Sequence, residues 1–109
     1  MIIVMIYGFT GRYAGHSEYN WEHPEPDAVH QCMLFLRQHS ESNEYHAALS
    51  ECHKYGFTDI ENMRYGKLQI DALNTDLHRG FSGFYEEALT NGSALLFYPN
   101  KAASRVGAA

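Results

Sequence analysis

Cysteine is scarce in this chain: Cys32 and Cys52 are the only two. Both stand among apolar neighbours, which suits small reduced core residues rather than a disulfide framework. Cations are scarce as well. Eight Lys and Arg face 13 Asp and Glu, a net charge of −5 with neutral histidines. The basic residues are scattered, which argues against a nucleic-acid partner, because phosphate binding needs clustered Lys and Arg. No apolar run approaches the roughly 20 residues that a membrane span requires. The opening run Met1–Tyr7 is apolar but has no basic leader and no small-residue cleavage site, so it does not read as a signal peptide. The expectation is a cytoplasmic protein with no membrane partner.

Catalytic signatures are missing too. There is no G-x-S-x-G elbow, no H-E-x-x-H pair and no phosphate loop ending in Gly-Lys-Ser/Thr. The stretch Gly8-Phe9-Thr10-Gly11-Arg12 follows a strand, but no helix opens directly after it. Its glycines read as turning the chain out of a sheet, not as a phosphate cradle for Arg12. No cofactor and no metal are expected.

Apolar residues make up 45% and charged residues 19% of 109 residues, a globular balance for one domain. The reading places that domain at 1–100 and a flexible, Ala- and Gly-rich tail at 101–109. Ile2–Tyr7 is a β-branched run ended by Gly8, a central strand buried on both faces. The segment 8–26 has Gly8, Gly11, Gly15, Pro24 and Pro26 and no clear period, so it reads as a long loop. Asp27 then suits a helix N-cap. Val29, Cys32, Met33 and Leu36 follow at i, i+3, i+4, i+7, the stripe of a buried helix.

The polar run His39–Asn43 breaks that pattern. Tyr45, Ala48, Leu49 and Cys52 repeat the stripe in a helix that ends on Lys54 and Gly56, a cation and a glycine cap. In 58–72, Met63 and Tyr65 alternate on one parity and Leu68, Ile70 and Ala72 on the other. This reads as a hairpin turning near Tyr65-Gly66, with a short helix at 58–65 as the alternative, since Thr58-Asp59-Ile60-Glu61 matches a capping box. A helix from Ser82 to Asn91-Gly92 and a strand Ala94–Tyr98 stopped by Pro99 complete the order. That order is the β-α-β-β-α-β of ferredoxin-like sandwiches, an α+β fold with a long aromatic loop after the first strand. Two helices on one sheet face would leave the other bare, so a homodimer is expected.

Seven histidines stand at 16, 23, 30, 39, 46, 53 and 78. His46 and His53 share a helix face but lie about 10 Å apart, too far to chelate one ion. A metal would have to use His16 and His23 with Glu18 or Glu22, and no recognised ligand spacing supports it. The loop carries the functional candidates. Arg12, Tyr13, His16, Tyr19, Trp21 and His23 combine large aromatic area with polar handles, the composition of interface hot spots. The same aromatics also suit a lid folded over a sheet face. The expected function is a small soluble binding or protein–protein interaction protein, of inhibitor, immunity or adaptor type, that uses the 8–26 loop. The alternative is a small-substrate enzyme of the dimeric ferredoxin-like kind with a His- and Tyr-lined pocket.

Overall fold

The computed structural model describes residues 2–67 and 81–101. In chain order the elements are β1 (Ile3–Tyr13), β2 (Val29–Gln38), α1 (Tyr45–Lys54), β3 (Phe57–Lys67), α2 (Phe81–Asn91) and β4 (Ser93–Lys101). The strands form one sheet in the order β3-β1-β2-β4, antiparallel at every pairing. The α+β class and the four-stranded antiparallel sheet agree with the sequence reading, but the ferredoxin-like order does not. The first two strands are joined directly, and each helix comes later.

The difference lies in 29–38. The expected helix there is β2, a central strand between β1 and β4. Its run Cys32–Leu36 is apolar without a break, and such a run fits a strand buried on both faces as well as a helix. Asp27 settles the local geometry. It lies at φ 66° and donates its N–H to the Tyr13 carbonyl, so it closes a turn and caps no helix. The long loop also begins later than expected, because β1 runs on through Gly8 and Gly11 to Tyr13.

Alternation divides the core between the two sheet faces. Met5, Tyr7 and Phe9 of β1, Cys32, Leu34 and Leu36 of β2, and Leu95 of β4 pack with Ala48, Cys52 and Tyr55 from α1 and its C-cap. Val4, Phe35 and Ala94 point the other way and pack with Ala88 of α2. The helices therefore lie on opposite faces, where one shared face was expected. The bare face that motivated the homodimer is covered in part by α2.

β3 runs straight through Tyr65-Gly66, so the expected hairpin turn is not there. Of the second hairpin arm, 68–72 lies outside the described residues, as do residues 102–109 of the expected tail. Two register shifts against β1 interrupt β3, and the positive-φ residues Asp59 (51°) and Asn62 (57°) lie within them. The bulges let Phe57, Ile60 and Met63 all reach the α1 side despite their spacing of three. β4 does not stop at Pro99; it continues to Lys101 with a register shift against β2 in the His30–Cys32 interval. The buried His30 holds its Nδ1 2.8 Å from the Tyr98 carbonyl there, on the strand that bulges.

Candidate functional site

The connection 14–28 folds back on itself. Tyr13 donates its N–H to the Ala28 carbonyl at 3.1 Å and accepts from Asp27 at 2.7 Å, so the loop's two ends meet, as in an Ω-loop. Its body is tied to the C-terminal end of α1. Ala14 donates to the Gly56 carbonyl and Glu18 to the Lys54 carbonyl. Gly56 makes that approach possible. It sits at φ 99°, and a Cβ there would stand 2.4 Å from the His16 carbonyl oxygen and 2.5 Å from the Tyr13 ring.

Trp21 anchors the loop. Its Nε1 donates to the Tyr55 carbonyl at 3.1 Å. Its ring packs edge-on against Tyr13, Tyr55 and Phe97 at centroid distances of 6.3, 5.3 and 5.9 Å. Tyr19 anchors it a second time, its hydroxyl donating to both oxygens of Glu51 at 3.1 and 3.0 Å. Ser93 Oγ donates to the same carboxylate at 2.6 Å and lies 3.1 Å from the Tyr55 hydroxyl, and Lys54 stands 3.4 Å from Glu51. Burial and the Glu51 carboxylate push the Tyr19 hydroxyl up to about 12. Burial likewise raises the Tyr55 hydroxyl. A tyrosine held this firmly in its neutral form is a donor, not a base at neutral pH.

The six loop candidates do not converge on one spot. Tyr13 is buried, 1% exposed, beneath the loop. His23 stacks on it from the solvent side at 4.7 Å and 12°. His16 is exposed and, with His23, borders a shallow depression. Arg12 is exposed at the end of β1, where alternation turns it to the face opposite Tyr13, and it pairs with Asp59 of β3. Trp21 and Tyr19 alone among them reach a deeper cleft.

That cleft lies along β4. The loop residues Asn20, Trp21 and Glu22 form one wall, and Phe84, Glu87 and Asn91 of α2 form the other. Tyr55, Leu95, Leu96 and Phe97 complete a cavity of about 580 Å3. A side recess of about 230 Å3 reaches Tyr19 and Ser93. Phe84, Glu87 and Asn91 stand at i, i+3, i+7, so one helix face supplies the whole second wall. That spacing is the signal that sequence reasoning had available and did not use. Nothing local in the sequence links Ser93, Phe97 or Glu51 to Trp21, because they meet only through the sheet.

The chemistry on offer is aromatic and anionic. Glu22 and Glu87 are exposed, and neither is ion-paired among the described residues. Among the described residues no group of three or more His, Cys, Asp or Glu gathers to hold a metal. Cys32 and Cys52 are free and buried, and burial pushes the Cys32 thiol up to about 12 and the Cys52 thiol higher still. Neither is a ready nucleophile. No helix among the described residues is long and apolar enough to cross a membrane.

No family model, no curated protein and no solved structure matches the chain.

Proposed function

We propose that this protein is a binding module, and that its site is the cleft between the aromatic loop and α2. The observation that carries the reading is the lining: Trp21, Tyr55, Phe84 and Phe97 beside the carboxylates Glu22 and Glu87. Such a surface favours a cationic, partly apolar guest, because aromatic faces and unpaired carboxylates both attract Lys and Arg side chains. The net charge of −5 draws the same guest by long-range attraction. The partner class is a basic segment of another protein. The small-substrate enzyme is the weaker reading, since no histidine among the described residues lines this cleft.

Trp21 is the only tryptophan in the chain, so its fluorescence reports on the cleft without a label. The probe is the capped peptide acetyl-Lys-Val-Val-Lys-Val-Val-amide, with its Lys→Glu counterpart as control. Saturable quenching or enhancement by the lysine peptide is expected, weakened by salt and by Glu87→Lys. Equal responses to the two peptides, or none to either, would refute the reading.

A further inference from the structure

The two sheet edges are built differently. The β3 edge carries two bulges and the charged residues Asp59, Glu61, Arg64 and Lys67, the devices that keep an edge from pairing with another chain. The β4 edge has its bulge, Pro99 and Lys101 only at its C-terminal end; the stretch Ser93-Ala94-Leu95-Leu96-Phe97-Tyr98 carries no charge and keeps a regular register against β2 from Ser93 to Phe97. Among the described residues no strand lies beyond it.

Register decides which backbone groups face outward. Arg37 donates its N–H to the Gly92 carbonyl, so the 37–92 pair is of the hydrogen-bonded type. In an antiparallel ladder the types alternate, so the 35–94 and 33–96 pairs are bonded and the 36–93, 34–95 and 32–97 pairs are not. Ser93, Leu95 and Phe97 therefore aim their N–H and C=O groups away from β2. The cleft runs along this side of the strand, with Leu95 and Phe97 in its lining.

We propose that the guest binds as a fifth strand on β4, pairing with the outward groups of Ser93, Leu95 and Phe97. This deepens the binding reading above and rests on it. Side chains of an added strand alternate between the two faces of the sheet. Those on one face meet Trp21 and Glu22 of the loop, and those on the other meet Phe84 and Glu87 of α2. Each face thus offers one aromatic and one carboxylate, so the segment carries a basic residue on each parity with apolar residues between. A second copy of this chain is the poorer occupant, because it would bring its own Glu22 and Glu87 and a further net −5 to the same cleft.

Amide hydrogen exchange tests the inference with the same lysine peptide, whose two lysines have opposite parity. At nine-tenths saturation, exchange at the Leu95 and Phe97 amides slows about tenfold, because an amide can exchange only in the unbound tenth. The Ala94 and Leu96 amides, already bonded to β2, change little. Fluorescence binding without protection at Leu95 and Phe97 overturns the added strand and leaves the cleft reading intact. Absence of any binding overturns both. Protection at Leu95 and Phe97 that appears on concentrating the protein alone, with a dimer in sedimentation, also overturns the proposal and assigns the edge to a second copy.

Discussion

Trp21→Ala is the most informative single change, because Trp21 both holds the loop down and forms a wall of the cleft. Truncating a core aromatic to Ala costs about 3–5 kcal/mol. Trp21 is half-buried, so the lower end of that range applies to its contacts with Tyr13, Tyr55, Phe57 and Phe97. The loss is limited further because the loop keeps its backbone bonds to Tyr13, Gly56 and Lys54. Against this, the indole donor to the Tyr55 carbonyl also goes, a loss of about 1 kcal/mol. The expected total is about 3 kcal/mol. In a domain of this size that lowers the midpoint of thermal unfolding by about 12 °C or more. Trp21→Phe keeps a ring in place and loses the donor, and should cost about 1–2 kcal/mol. Urea unfolding followed by far-ultraviolet circular dichroism measures both, since neither variant retains a tryptophan to watch. A cost below about 1 kcal/mol for Trp21→Ala would refute the claim that this side chain anchors the loop.

Gly56→Ala should cost at least about 2 kcal/mol in urea unfolding, since the new Cβ meets backbone at 2.4 Å and φ is 99°; a change under 0.5 kcal/mol, roughly the noise for a neutral site, would contradict the loop's docking on Gly56. Asn62→Gly should be neutral or slightly stabilising while Asn62→Ala costs about 1 kcal/mol, because the residue sits at φ 57°; equal effects in thermal unfolding would count against the bulge. Glu51→Leu should cost about 2 kcal/mol by leaving the Tyr19 and Ser93 hydroxyls without their acceptor, and more than Glu51→Gln; the reverse ranking in urea unfolding would mean the network adds nothing. Tyr19, raised to about 12 in the folded chain, contributes stability that is fully present below its ordinary value near 10 and is lost as pH rises through 12. The urea midpoint should therefore fall across that alkaline window, and fall less steeply in Tyr19→Phe; an unchanged slope would remove Tyr19 as a cause.

Local signals in the sequence located those elements whose limits are set locally. The stripe Tyr45, Ala48, Leu49, Cys52 with Gly56 behind it is α1, whose C-cap is Tyr55 followed by Gly56 at φ 99°. Asn91-Gly92 ends α2, with Gly92 at φ 102°. The Ile2–Tyr7 run is, from Ile3 on, the first part of β1, in the interior of the sheet. What failed depended on distant partners. Cys32–Leu36 is apolar at every position, and only pairing with both β1 and β4 selects strand over helix. In β1 the same-face series Met5, Tyr7, Phe9, Gly11, Tyr13 does alternate, but two glycines hide it. Gly11 is small for a packing reason: a Cβ there would stand 3.1 Å from the Phe9 ring and 3.2 Å from Phe57. In β3 the bulges break the period of two, so no alternation template fits Phe57–Lys67. Of the candidate site, the loop's composition was legible and its partners were not, because α2 and β4 meet the loop only after the sheet has formed.

The sequence posed Trp21 as either a lid on the core or a binding surface, and the geometry removes the opposition. One side of the indole packs on Tyr13 and Phe57 and its N–H is spent on Tyr55, while the ring also lines the cleft. A wall made this way is rigid before any guest arrives. Ala14 on the Gly56 carbonyl, Glu18 on the Lys54 carbonyl and Tyr19 on Glu51 fix the loop to α1 and its C-terminal cap ahead of the residues that face the cleft, and the bonds of Asp27 and Ala28 to Tyr13 close it behind them. The opposite wall is a helix seated on the sheet through Ala88 and Phe84. Ordering a loop on association costs about 0.5–1.5 kcal/mol for each side chain immobilised. A loop already fixed avoids most of that cost for the segment proposed above. It follows that Gly56→Ala, which replaces no lining residue and whose new Cβ meets His16 and Tyr13, should weaken peptide binding at temperatures where the fold is intact, by freeing the loop. Fluorescence titration of this variant at 10 °C, well below its unfolding, decides the matter. An affinity unchanged from the parent would mean that the wall does not depend on the loop's attachment to α1.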